Sequence, residues 1–312
     1  MPPEILQMCP LSPKLDAALA ADFQIHRLWE QADAPGYLEQ HGQRITGVAT
    51  AAPTGVMPSI MTALPSLQVV SCRGVGLDKI DLEAAQQRGI QVAGTFGTLS
   101  DCVADLAFAL LLDCARQLSA ADRYVRAGKW QQARYPLTTR LSGKRLGIVG
   151  LGQIGRMVAK RASGFDMQVA YTNRRRADGV EYRFEPELVE LARWSDFLVI
   201  AAAGGADTHH LIDARVLEAL GPSGYLVNVS RGSVVDEAAL LEALLEGRIA
   251  GAGLDVFEHE PNIAQAFLSL DNVVLAPHMG SGTVETREAM EGLVLENLRA
   301  FFNEGQVRTP AF

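Results

Sequence analysis

The chain has 312 residues, 48% apolar and 21% charged, too apolar for a disordered segment and long enough for roughly two domains. Its 28 basic and 36 acidic residues leave a net charge of −8, and no basic run is longer than Arg174-Arg175-Arg176. That balance argues against nucleic acid or an anionic membrane surface as a partner. The longest apolar runs, Leu106 to Leu112 and Phe197 to Ala203, stop at seven residues, against the roughly 20 that a membrane span needs.

The opening Met1-Pro2-Pro3-Glu4 has no cationic region followed by an apolar stretch, so no secretory leader and a cytoplasmic location are expected. Cys9, Cys72, Cys102 and Cys114 have irregular spacings and no C-x-x-C, which predicts buried, reduced thiols. From Ile45 onward, short apolar runs alternate with helical stretches: Gly47 to Ala52, Leu67 to Cys72 and Ile90 to Ala93 as strands, then Asp105 to Leu118 as a helix. A second series of strands follows at Arg145 to Val149, Met167 to Tyr171, Phe197 to Ala201, Gly224 to Val229, Gly251 to Asp255 and Val273 to Ala276. Helices are expected between them at Ile154 to Ala162, Glu187 to Ala192, Asp213 to Leu220 and Glu237 to Leu245, the last two of these stopping at Gly221-Pro222 and Gly247.

This alternation predicts an α/β protein with two doubly wound parallel-sheet domains. The stretch Glu285 to Phe302 has apolar residues at 290, 293, 294, 298, 301 and 302, the spacing of an amphipathic helix that can return to the first unit. The expected division is therefore 1–98 plus 282–312 for one domain and 99–281 for an inserted one.

Arg145 to Val149 leads into Gly150-Leu151-Gly152-Gln153-Ile154-Gly155 and then a helix, the strand–turn–helix setting that a dinucleotide-binding G-x-G-x-x-G requires. The amides of Gln153 and Ile154 would face the pyrophosphate at the positive helix end. About 20 residues on, where an NAD site places a carboxylate, the chain reads Tyr171-Thr172-Asn173-Arg174-Arg175-Arg176, with no acid before Asp178. Guanidiniums suit a 2′-phosphate, so NADP(H) is the expected cofactor, with Asn173, Arg174 and Arg175 on the phosphate and Arg176 in solvent.

Reducing a ketone needs a proton donor, a cation for the substrate's charge and a hydride source. Arg231, Glu260 and His278 each follow a strand of the second series, at the end where open α/β sheets gather ligands. Histidine changes charge near neutral pH and a nearby carboxylate favours its protonated ring, so His278 is the candidate acid and Glu260 its orienter. Arg231 offers a planar fork for a carboxylate, so the expected substrate is a small 2-oxo acid. His209 and His210 invite a metal reading, but no Cys or acid stands near them at ligand spacing, so no metal ion is expected.

Val229-Ser230-Arg231-Gly232, Gly253-Leu254-Asp255-Val256-Phe257 with Glu260-Pro261, Ala276-Pro277-His278 and Val75-Gly76-Leu77-Asp78 together resemble the signature of the D-2-hydroxyacid dehydrogenases, over about Ala49 to Phe302. Within that family the chain is most similar to the NADPH-dependent glyoxylate/hydroxypyruvate reductases, and similar also to the 2-ketogluconate reductases. The resemblance implies a Rossmann cofactor domain inserted into a flavodoxin-like substrate domain. It implies His278 as acid and base, Glu260 as supporting carboxylate, and Arg231 as the group that binds the carboxylate and polarises the keto group. Val75 and Gly76 would hold the substrate carboxylate through their amides. Leu151, Val229, Ser230, Asp255 and Gly280 would join Arg231 and His278 around the cofactor. A homodimer through Asp105 to Leu118 is implied as well, with Trp130 reaching toward the partner; the family usually has Glu where this chain has Asp105. The alternatives are a 2-ketogluconate reductase and, in a different class, a cofactor-sensing binding protein like the family's corepressor branch.

Overall fold

The computed structural model describes residues 2–312. The chain divides into two compact units, one made of residues up to Leu99 together with Thr283–Phe312, the other of Ser100–Gly282.

In the first unit, β1 (Glu4–Gln7), β2 (Gln24–Arg27), β3 (Ile45–Ala51), β4 (Val69–Arg73) and β5 (Gln91–Ala93) form a parallel sheet in the order β2-β1-β3-β4-β5. This is the flavodoxin-like order. Both faces are covered, so the central strands read as continuous apolar runs rather than alternating ones. One core contains Leu6, Val48, Val70 and Val92, the other Ile5, Ala49 and Val69. The second core is closed by the long helix Val284–Glu304, which contributes Val294, Leu295 and Leu298 and starts at the Thr283 cap. The amphipathic spacing of that segment is thus used within this unit.

The second unit has seven parallel strands: β6 (Arg145–Val149), β7 (Gln168–Thr172), β8 (Arg183–Phe184), β9 (Phe197–Ile200), β10 (Tyr225–Asn228), β11 (Gly251–Leu254) and β12 (Val273–Leu275). Their order, β12-β11-β10-β9-β6-β7-β8, places six strands in the Rossmann arrangement and adds a seventh. Every residue of β9 is fully buried, and its Phe197 ring stacks on Tyr225 of β10 at 5.1 Å. Truncating such an aromatic to Ala costs about 3–5 kcal/mol. Helices start where side chains satisfy the first amides: Asp213 accepts from Arg215 and Val216, and Asp236 from Ala239. Each such cap contributes about 1 kcal/mol.

Three strands lie outside the expected set. β1 and β2 have four residues each, and β2 (Gln24-Ile25-His26-Arg27) is a polar edge strand with no apolar run to mark it. β8 is only two residues long. Of the four thiols, Cys72 and Cys114 are buried, while Cys9 and Cys102 are partly exposed, and none is in a disulfide.

Candidate active site

At the end of β6 the backbone turns at Gly150, whose φ of +95° is one that side-chain-bearing residues rarely adopt. A Cβ there would meet the Ala202 nitrogen at 2.5 Å, and one at Gly155 would meet the Gly150 carbonyl oxygen at 2.1 Å. Gly150 therefore serves the turn, and Gly155 lets helix Gln153–Ala162 pack against the strand. Gly152, the helix N-cap, is different: nothing lies within 4 Å of where its Cβ would be. That open face in front of the helix N-terminus is what an approaching pyrophosphate needs.

The loop after β7 is tied to this turn. Asn173 Oδ1 accepts a hydrogen bond from the Leu151 amide at 2.7 Å, so that oxygen and that amide serve each other rather than a ligand. Arg174, Arg175 and Arg176 are exposed, and Arg174 lies 3.7 Å from Asp207, with both side chains more than four-fifths exposed. A pair so solvated contributes little and is readily exchanged for a better anion.

β10, β11 and β12 are neighbours in the sheet, and the segments leaving their carboxyl ends bring the remaining candidates together. After β10, Asn228 shapes the turn by accepting from the Ser230 amide at 3.0 Å and donating to the Arg231 carbonyl at 2.9 Å. After β11, Asp255 is 2% exposed and its two oxygens accept from the amides of Met279 and Gly280 at 2.7 and 2.9 Å. Burial pushes this carboxyl above its usual range, and the two amides only partly offset it. With the bond from the His278 amide to the Asp255 carbonyl, these contacts fix the loop in which His278 adopts a φ of +52°.

In that loop His278 Nδ1 meets Glu260 Oε2 at 2.7 Å, and Glu260 Oε1 accepts from the Phe257 amide at 3.0 Å. Burial opposes the charge on Glu260, but the His278 hydrogen bond, the Phe257 amide and the charges of His278 and Arg231 outweigh it and hold the carboxyl below its ordinary range. The ring is 38% exposed, and its Nε2 has no partner among the described residues. An imidazole fixed at one nitrogen and open at the other can pass a proton outward.

Residues 108–280 match the family profile described as D-isomer specific 2-hydroxyacid dehydrogenase, NAD binding domain. The chain belongs to the D-isomer-specific 2-hydroxyacid dehydrogenases. It is 45% identical over 306 residues to glyoxylate/hydroxypyruvate reductase A of Arabidopsis thaliana, covering 98% of both chains. To the 2-ketogluconate reductase of Gluconobacter oxydans it is 47% identical over 308 residues, 99% of this chain and 98% of the other. Among solved structures, the NADPH-dependent glyoxylate/hydroxypyruvate reductase of Sinorhizobium meliloti, in complex with NADP and malonate, superposes with a TM-score of 0.94 at 42% identity, covering 100% of this chain and 97% of that one.

Within this dehydrogenase, other expected site residues have other surroundings. Val229 and Ser230 are buried, and the Ser230 hydroxyl donates to the Ala202 carbonyl, closing the end of β10 against the segment after β9. Gly280 is buried with its amide on Asp255. Val75 and Gly76 belong to the first unit, in the loop after β4, where Gly74 and Thr95 exchange hydrogen bonds of 3.0 and 2.8 Å. Asp105 accepts from Arg161 at 2.6 Å, and Trp130 is 66% exposed.

The reading of His209 and His210 rested on the absence of an acid at ligand spacing, and there the fold differs. Glu258, 48 residues on, lies 3.2 Å from His210. Only the sheet order, which sets β9, β10 and β11 side by side, could have shown this. Among the described residues, no helix is long and apolar enough to cross a membrane.

Proposed function

We propose that this dehydrogenase reduces small 2-oxo acids, glyoxylate and hydroxypyruvate foremost, to 2-hydroxy acids at the expense of NADPH. The observation that carries the reading is the His278–Glu260 pair, with Nδ1 engaged at 2.7 Å and Nε2 open. Glu260 fixes the ring and its tautomer, and His278 donates the proton from Nε2 to the keto oxygen. Arg231 holds the substrate carboxylate through its guanidinium and polarises the carbonyl, a charged interaction of about 1.5–3 kcal/mol. The amides of Gln153 and Ile154 and the open face at Gly152 would hold the pyrophosphate of a dinucleotide, which when bound would supply the hydride. Arg174, giving up its solvated contact to Asp207, and Arg175 would take the 2′-phosphate. Asn173 supports the turn with its oxygen and offers its amide nitrogen as a donor to the phosphate.

The similarity to reductases named for glyoxylate and hydroxypyruvate, one of them NADPH-dependent, supports this substrate class and cofactor. The 47% identity to a 2-ketogluconate reductase favours 2-ketogluconate as the second substrate to try. We assign a homodimer to the enzyme, supported by Leu118, Val125 and Trp130, large apolar side chains exposed on helix Leu118–Arg126 and the turn after it.

Initial rates with glyoxylate, hydroxypyruvate, 2-ketogluconate and pyruvate, each with NADPH and NADH, test the assignment. NADPH with glyoxylate or hydroxypyruvate should give the highest kcat/KM. Turnover absent with every 2-oxo acid would leave a cofactor-binding protein instead. In Arg174→Ala/Arg175→Ala, KM for NADPH should rise about ten- to a hundredfold while that for NADH barely moves, the loss of charged bonds worth ~1.5–3 kcal/mol; equal losses would refute the 2′-phosphate assignment.

A further inference from the structure

Two histidines that the proposed reaction does not use stand after β9. The helical turn Ala206–Thr208 delivers His209 and His210 with their rings stacked, centroids 3.9 Å apart and planes inclined by 22°. His210 sits at a φ of +51°, its amide bonded to the Ser233 carbonyl at 2.8 Å. Both Nε2 atoms converge on the same carboxylate oxygen, Glu258 Oε1, at 3.2 Å from His210 and 3.8 Å from His209. Glu258 comes from the turn after β11, where its amide donates to Glu237 Oε1 at 2.7 Å. Behind the cluster, Asp236 Oδ2 lies 4.0 Å from His210 Nδ1.

A hydrogen bond accounts for His210 alone: at 3.8 Å the His209 nitrogen is beyond hydrogen-bond range of the same oxygen, yet its ring is held stacked beside the other. A dication placed among the three atoms would engage both rings. The ligand atoms all lie within 4.8 Å of one another, the one such His/Cys/Asp/Glu group of three among the described residues. Tetrahedral zinc, with bonds of about 2.0–2.2 Å, spaces its ligand atoms about 3.3–3.5 Å apart. The two separations to Glu258, 3.2 and 3.8 Å, bracket that value, so each histidine–carboxylate pair needs a shift of only a few tenths of an ångström. Asp236 Oδ2, 4.0 Å from the other nitrogen of His210, is beyond hydrogen-bond range and would have to close in to back a ligating imidazole.

We propose that His209, His210 and Glu258 bind a divalent transition-metal ion of the zinc class, with water in the fourth position. Two imidazoles and one carboxylate suit zinc, copper or nickel, whereas magnesium and calcium seek oxygen ligands. The ion would link the segment after β9 to the turn that also carries Glu260. The assignment is independent of the substrate and of the cofactor preference.

The test is equilibrium dialysis of the chelator-stripped full-length protein against Zn²⁺, with thermal unfolding of the same samples. One Zn²⁺ per chain should bind and raise the Tm, and Mg²⁺ should do neither. His209→Ala, at a half-exposed position where folding is not at risk, and Glu258→Gln should each lose more than the ~10–100-fold in affinity that removing an outer-shell partner costs. His278→Gln, which removes the other histidine–glutamate pair of the second unit, should bind Zn²⁺ like the parent. Absence of stoichiometric binding, undiminished binding in His209→Ala, or binding lost only in His278→Gln would overturn the proposal.

Discussion

Two histidine–glutamate pairs, one in each unit, show how one contact serves different ends. In the first unit His26 Nε2 meets Glu4 at 2.8 Å, its Nδ1 meets the Tyr37 hydroxyl at 2.7 Å, and the side chain is 5% exposed. In the second unit His278 Nδ1 meets Glu260 at 2.7 Å, but the ring is 38% exposed and its other nitrogen has no partner among the described residues. The His26 pair links β1 to β2 and completes its own hydrogen bonding. The His278 pair is half complete. The distance between ring and carboxylate is nearly the same in both, so the free nitrogen, not the contact with the carboxylate, sets His278 apart and supports the proposed proton transfer.

The sharpest way to break this contrast is His278→Gln, which should lower kcat by roughly 10²–10⁴-fold, the usual contribution of a positioned acid–base group. Fluorescence titration should find NADPH affinity nearly unchanged. Retained turnover would make the two histidines alike. Glu260→Gln should lower kcat about ten- to a hundredfold, matching ~1.5–3 kcal/mol for a charged hydrogen bond, and leave a weaker imidazole in place; steady-state rates measure it. His26→Leu should do the reverse. By leaving Glu4 and Tyr37 short of a partner it should cost about 1–3 kcal/mol in urea unfolding while kcat per folded molecule holds.

A smaller effect is pH-dependent. The native Glu260 carboxyl lies below its ordinary range, so its contribution to stability is fully present above the unfolded value, about 4.3, and is lost as pH falls through the depressed native value. The stability difference between the parent and Glu260→Gln should therefore be constant near neutrality and shrink in that acid window. Asp255 carries the opposite sign: its carboxyl is raised by burial, so its contribution is present below the unfolded value and lost as pH rises through the native one. A difference that stayed constant down to the lowest pH at which the protein folds would show that Glu260 is not held ionised by His278.

Much of the second unit was readable along the chain because its signals are local. Gly150, Gly152 and Gly155 fall within six residues of one another, between a buried strand and a helix, and the arginines after β7 stand where the carboxylate of an NAD site is missing. Arg231, Glu260 and His278 could each be recognised as following a strand. That they meet depends on β10, β11 and β12 being neighbours, with strands about 4.8 Å apart. The edge strand β2 and the two-residue β8 carry no such signal, because neither buries enough apolar side chain to leave a period.

Composition, periodicity and the glycine turn are properties of consecutive residues, so the sequence by itself settled the parallel α/β class, the dinucleotide turn and the family. Tertiary structure alone decided which nitrogen of His278 stays open, that the carboxylate of Asp255 turns inward to hold the 278–280 loop, that Asn173 serves the glycine turn, and that Glu258 joins His209 and His210. Each of these is a contact between residues 18 or more positions apart. Such contacts depend on strand order and loop conformation, to which no local pattern is sensitive.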